Sequence, residues 1–106
     1  MSGRIVVGVS GSGSNLRAIA AAAGRGELGG EIVLVFADRP CPALDWAAEQ
    51  EIDTAFIPGG DDEALAETLA TVAPDAIALA GYMRIVGPRV LAAFTGRIRN
   101  IRHSQG

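Results

Sequence analysis

Residues 32–37, Ile-Val-Leu-Val-Phe-Ala, are apolar throughout. A strand with one wet face alternates apolar and polar residues, whereas an unbroken apolar run of this length suits a strand covered on both faces. A second run of this kind, residues 5–9, is rich in β-branched side chains and ends in a turn at residues 10–13. After that turn Leu16, Ile19, Ala20 and Ala23 recur at helical spacing. Strand, turn and helix in that order are the start of a layered chain in which helices cover a sheet.

The same alternation continues. Pro40 and Pro42 break the chain after residue 37, and Pro42 suits the first turn of a helix to about Gln50. Residues 54–57 read as strand three. Asp61, Asp62 and Glu63 put negative charge where a helix to about Val72 begins, which the helix dipole favours. Residues 76–80 are strand four, Pro88 starts a short helix to about Phe94, and residues 97–101 are strand five. Five strands alternating with helices predict an α/β fold: a Rossmann-like open, mostly parallel sheet with flanking helices. Right-handed crossovers put strand one near the middle. Ligands of such sheets bind beyond the carboxyl ends of strands where the order reverses. Residues 10–15, 81–87 and 100 onward are therefore the places to look.

Length and composition narrow the class. A chain of 106 residues suits one domain with a modest core. It is 49% hydrophobic and 20% charged, which favours a folded globular chain. The net charge is −3 and all nine basic residues are Arg, so no broad nucleic-acid surface is expected. Four of them (Arg89, Arg97, Arg99 and Arg102) fall in the last eighteen residues, as a solvated basic end or a local anion site. The apolar runs are too short to cross a bilayer, and no leader is recognisable at residues 1–3. The one cysteine, Cys41, has no internal disulfide partner, which points to a reducing, cytoplasmic setting. No His, Cys and Asp grouping has metal-ligand spacing, so no metal is expected. Cys41 sits at a helix start without a visible partner base. Trp46 and Phe56 are expected in the core or on a helix face.

The turn Ser10-Gly-Ser-Gly-Ser-Asn-Leu16 can be read in three ways. As a dinucleotide loop, G-x-G-x-x-G, it supplies Gly11 and Gly13 but has Leu16 where a third glycine lets helix and strand close up. Asp38 comes close to the ribose-binding acid after strand two without cleanly closing it. As a Walker loop it needs a Lys, and the chain has none. The third reading needs only backbone amides at a helix N-terminus, aimed at a phosphate or carboxylate. A tight turn capped by the Ser14 hydroxyl, with no ligand, fits the same residues.

Three stretches in register resemble one family. Ser10-Gly-Ser-Gly-Ser-Asn-Leu16 is similar to the phosphate loop of glycinamide ribonucleotide formyltransferases, the folate-dependent enzymes of purine synthesis. Ala73-Pro-Asp75 with Leu79-Ala-Gly-Tyr-Met-Arg-Ile85 resembles a second segment of that family. Gly96-Arg97 and Asn100-Ile101 resemble the approach to its Asn-x-His-Pro-Ser motif. The related transfer-RNA formyltransferases and formyltetrahydrofolate hydrolases do not share this form of the first loop. The resemblance implies the amino-terminal half of the formyltransferase fold, with glycinamide ribonucleotide as substrate and 10-formyltetrahydrofolate as co-substrate. It implies that Gly13, Ser14 and Asn15 bind the substrate phosphate. It implies that Met83, Arg84, Ile85 and Val86 border the folate pocket, and that Asn100 donates to the catalytic oxyanion. On residues alone, Met83, Ile85 and Val86 suit a core after strand four better than a pocket, Arg84 suits a surface charge and Asn100 a strand-end turn.

The chain departs from the family in two places. Where the motif has His, this chain has Arg102, and its only His is His103, one residue later. Along an extended segment Asn100 and Arg102 share a side and His103 faces away. Arg is permanently charged and cannot shuttle a proton at neutral pH. The family also continues beyond residue 106, and the missing part carries its catalytic Asp. The expectation is one α/β nucleotide-binding domain over residues 1–106, truncated after strand five, that binds phosphate without appreciable turnover. Its exposed sheet edge would take a second copy or a complementing carboxyl-terminal half. The alternative is a non-catalytic phosphate-binding or assembly module built on that fold.

Overall fold

The computed structural model describes residues 3–9, 14–26, 30–38, 40–58, 61–80 and 87–101. In chain order these form β1 (Gly3–Val9), α1 (Ser14–Gly24), β2 (Gly30–Ala37), α2 (Pro42–Glu49), β3 (Asp53–Phe56), α3 (Asp62–Val72), β4 (Ala76–Ala80), α4 (Pro88–Ala93) and β5 (Ile98–Ile101). The five strands make one parallel sheet in the order β3-β2-β1-β4-β5, so β1 is central as expected. The chain winds outward from β1 to β3, crosses back, and winds outward again through β4 and β5. Its order reverses between β1 and β4.

The period of two along each strand sorts the core into two layers. Ile5, Val7, Val9, Val35, Ala37 and Ala78 pack with Leu16 and Ile19 of α1 and with Ala43 and Ala47 of α2. Val6, Leu34, Phe36, Ile77 and Leu79 pack on the opposite face with Leu65 and Leu69 of α3, and with Val90 and Phe94 at α4. Burying a side chain of this size stabilises the fold by about 1.5–3 kcal/mol. One irregularity keeps the layers apart. β1 and β2 run in register from Gly3↔Gly30 to Ile5↔Ile32, then Val6 pairs with Leu34 and Val33 is passed over. Val33 and Leu34 therefore join the same layer. An extra residue of this kind is tolerated because the run is apolar throughout.

Gly8 shows how tight the second layer is. A Cβ added there would lie 2.5 Å from the tip of the Phe36 ring and 3.1 Å from Leu79. Phe36, fully buried, fills the space a larger residue at position 8 would need.

The helix ends use different devices. Pro42 opens α2 at its first turn. α2 closes with the Glu51 N–H donating to Ala48 and the Ile52 N–H to Ala47, with Glu51 left-handed at φ 63°. Ala73 is also left-handed, at φ 56°, and ends α3. The Ala73-Pro-Asp75 segment is a structural joint. Pro74 is fully buried, the Asp75 carboxylate accepts the Arg4 N–H at 2.8 Å, and Asp75 N–H returns a bond to the Arg4 carbonyl. The Arg4 guanidinium donates to the Val72 carbonyl, one of those left open at the end of α3.

Two sequence expectations change here. Phe56 is 51% exposed rather than packed. It ends β3, an edge strand paired only with β2, and Ala55 takes the position facing the α3 layer. Trp46 does pack on the α1–α2 side, with the Arg17 guanidinium 5.8 Å from its ring centre. Strand and helix limits differ from those predicted by one or two residues. Ser14 is the first residue of α1 rather than the residue before it.

Candidate functional site

The register places five strand ends in one row: Phe56, Ala37, Val9, Ala80 and Ile101 are successive partners across the sheet. Val9 and Ala80 are neighbours in that row and stand where the strand order reverses. The chain leaves Val9 into residues 10–13 and leaves Ala80 into residues 81–86. Both connections therefore start side by side at the crevice where open α/β sheets take their ligands.

Ser14 and Asn15 are the first two residues of α1, so their backbone N–H groups belong to the unbonded start of a helix. The helix carries no acid in its first turn. An anion placed there meets the positive end of the dipole without a competing carboxylate on the helix. Asn100 is the third residue of β5 and pairs with Leu79, one step before the row of strand ends. Adjacent strands lie about 4.8 Å apart, so β5 stands roughly 10 Å from β1 along the row. Gly13, Met83, Arg84, Ile85, Val86, Arg102 and His103 lie outside the described residues.

The loop alternatives can now be weighed. Leu16 is fully buried among Val7, Val9 and Val35. A leucine thus occupies the place where a dinucleotide-binding helix closes on its strand through glycine. Asp38, which comes close to the ribose-binding position in the sequence, directly follows β2 and is 6% exposed. Among the described residues no group of three or more His, Cys, Asp and Glu is placed to hold a metal ion.

A carboxylate with a structural duty in this part of the fold also escaped the sequence reading. Asp61 caps its own helix, accepting from the N–H groups of Glu63 and Ala64. Asp62, the next residue, reaches a different helix. It accepts from the N–H groups of Arg89 and Val90, at 3.0 and 3.3 Å, at the start of α4. The two groups are 27 and 28 residues away in sequence, beyond any local spacing rule.

The formyl transferase family pattern matches residues 3–105, and the chain belongs to that family. Phosphoribosylglycinamide formyltransferase of Mycobacterium tuberculosis is 40% identical over an alignment of 104 positions that covers 92% of this chain and 48% of that protein. The Escherichia coli protein of the same name is 33% identical over 94% of this chain and 51% of its own length. The chain spans about half the length of these curated relatives. The crystal structure of glycinamide ribonucleotide transformylase 1 from Geobacillus kaustophilus superposes with a TM-score of 0.86 at 35% identity, over 94% of this chain and 57% of that one. A formyltetrahydrofolate deformylase from Pseudomonas putida reaches a TM-score of 0.83 at 19% identity. The fold is thus shared by proteins named for different reactions, and fold alone does not choose between them.

Proposed function

We propose that these 106 residues are the nucleotide-binding half of a phosphoribosylglycinamide formyltransferase. The complete enzyme would pass a formyl group from 10-formyltetrahydrofolate to the amine of glycinamide ribonucleotide. The observation that carries the reading is the convergence at the sheet's carboxyl edge. The segments from which residues 10–16, 79–85 and 100–101 emerge are brought to one row by strand register, and relatives bearing that name align across the whole stretch.

In this reading the amides of Gly13, Ser14 and Asn15 hold the substrate phosphate at the start of α1. Met83, Arg84, Ile85 and Val86 border the folate. Asn100 donates to the oxyanion formed when the amine attacks the formyl carbon, a role worth roughly 3–4 kcal/mol in a dry site. Arg102 can stabilise that negative charge but cannot pass a proton on. Residues 1–106 act as one α/β unit in the cytoplasm. The open edge of β5 is where the carboxyl-terminal half of the relatives, or a second copy, adds to the sheet.

Calorimetric titration with glycinamide ribonucleotide tests the reading. One saturable site, displaced by inorganic phosphate, is expected, with no formylated product when 10-formyltetrahydrofolate is added. Absence of nucleotide binding refutes the phosphate site, and formyl transfer by these residues alone refutes the division of labour. The second reading, a phosphate-binding or assembly module without chemistry, is favoured by Arg102. It wins if neither an added carboxyl-terminal half nor Arg102→His restores transfer.

A further inference from the structure

The residues of β5, Ile98–Ile101, do not select their own register. Period two groups Ile98 with Asn100 and Arg99 with Ile101, so each set carries one isoleucine and one polar residue. Ile98 packs against the α3 layer in the observed register, and a slip of one residue would turn the set of Ile101 to it instead. Hydrophobic alternation fixes register where the two sets differ, and here they do not. Among the described strands β5 pairs with β4 alone, so no second ladder decides either. The slip would nevertheless carry Asn100 about 3.3 Å along the strand and to the other face. A productive donor must be held within about 0.5 Å, so the slip would take it out of any site.

Arg97, the residue before β5, supplies what the pattern lacks. Its carbonyl accepts the Ile77 N–H at 2.8 Å and forms the first rung between β4 and β5. Its N–H donates to the Phe94 carbonyl at 3.0 Å, across a turn in which Gly96 takes φ 86°. Its guanidinium reaches further: Nη1 donates to the Pro74 carbonyl at 3.5 Å, and Cζ lies 6.0 Å from the centre of the Phe94 ring. Each of these two contacts is long, but one cation makes both, and it joins the end of α4 to the entry of β4. Pro74 is fully buried, and Asp75 beside it is bonded in both directions to Arg4 of β1. The Arg4 guanidinium donates to the Val72 carbonyl at 2.9 Å. Arg4 and Arg97, on either side of β4, thus reach the one joint that precedes it.

We propose that Arg97 is a positioning residue that locks β5 in the register placing Asn100 opposite Leu79. This deepens the proposed function, because it rests on the reading that Asn100 donates to the oxyanion. Arg97 acts only through the strand. It precedes the amino end of β5, three residues before Asn100, whereas the crevice lies beyond the carboxyl ends of the strands.

Nuclear magnetic resonance of the 106-residue chain tests the lock. The rung from Ile77 to Arg97 and the parallel pattern make Arg99 and Ile101 the β5 residues whose N–H groups donate to β4. Arg97→Met keeps the stem and removes the donor and the charge. It should lower the exchange protection of those two amides about tenfold, as the loss of a charge-assisted contact would. It should also split or weaken the cross-strand contacts between Leu79 and Asn100. Arg97→Lys keeps a donor and a charge, and should restore most of the protection and a single set of contacts. Protection and contacts unchanged in Arg97→Met would mean that the turn at Gly96 sets the register alone, and the proposal is overturned. Wild type needs no variant: rotation of the Arg97 guanidinium should be slowed, and free rotation overturns the lock.

Titration with glycinamide ribonucleotide separates the lock from the proposed function. Arg97→Met should bind it within about twofold of wild type, as expected of independent sites, because the phosphate site opens α1 and not β5. Loss of nucleotide binding together with the β5 signals would make Arg97 a support of the whole fold and overturn its local role. Absence of binding by wild type removes the proposed function instead, and the Arg99 and Ile101 amides still decide whether Arg97 sets the register.

Discussion

Replacing Glu51 by Gly should stabilise the protein. Glu51 stands at the residue after the α2 C-cap with φ 63°. Its N–H donates to Ala48, the Ile52 N–H donates to Ala47, and Ile52 packs with Ala47 in the α1–α2 layer. This is the Schellman arrangement, in which glycine is the favoured residue because it has no Cβ to strain against the carbonyl. A left-handed residue with a Cβ costs about 1–2 kcal/mol. Glycine offsets part of the gain, because it adds about 0.4–1 kcal/mol of unfolded-state freedom. A net stabilisation of about 0.5–1 kcal/mol remains, or a rise of about 2–6 °C in Tm for a chain of this size. The side chain also lines an open cavity of 350 Å³ with Arg4, Glu31 and Asp53, so removing its charge has its own small effect. Glu51→Ala removes the same charge and keeps the strain, which makes it the reference. Thermal unfolding followed by circular dichroism, with urea titrations for ΔG and m, compares the two. Coincident transitions for the Gly and Ala variants would refute the argument from backbone strain.

Other outcomes follow from the same packing and caps. Gly8→Ala should cost about 1–3 kcal/mol in urea unfolding, because its Cβ meets the Phe36 ring, and Phe36→Leu in that background should recover part of the loss. Leu69→Ala, at a fully buried site between α3 and the sheet, should cost about 2–5 kcal/mol. Asp61→Ala should cost about 1 kcal/mol by freeing the Glu63 and Ala64 N–H groups, and Asp61→Asn should retain most of it. Asp75→Ala should cost about 1 kcal/mol through the lost Arg4 bond, without altering glycinamide ribonucleotide affinity. A change in that affinity would mean the Ala73-Pro-Asp75 joint does more than join α3 to β4.

Much of this architecture is written in local pattern. The apolar run at 32–37, the prolines at 42 and 88 and the acids at 61–63 each act within a few residues of themselves. Period, fixed φ and dipole are properties of a short segment, so they can be seen before folding. The central place of β1 follows as well, because the handedness of strand–helix–strand crossovers leaves few ways to wind five strands. The candidate site was read for a different reason, from short stretches that resemble one family; of its residues, Ser14 and Asn15 open α1 and Asn100 lies in β5.

Tertiary structure decided what depends on partners distant in the chain. Asp62 looks like its neighbour Asp61 in sequence, yet Asp61 caps its own helix and Asp62 accepts from the first N–H groups of α4 beside Gly87. Gly8 looks like a weak point in a strand until Phe36 is seen above it. Phe56 reads as core and lies half in water, because only β2 flanks the strand that carries it. Asp38 is only 6% exposed, which its charge alone would not suggest. A sequence specifies each segment's preferences through short-range sterics and hydrogen bonds. Which surface a side chain meets is settled only when the layers close, since that depends on all the other segments at once.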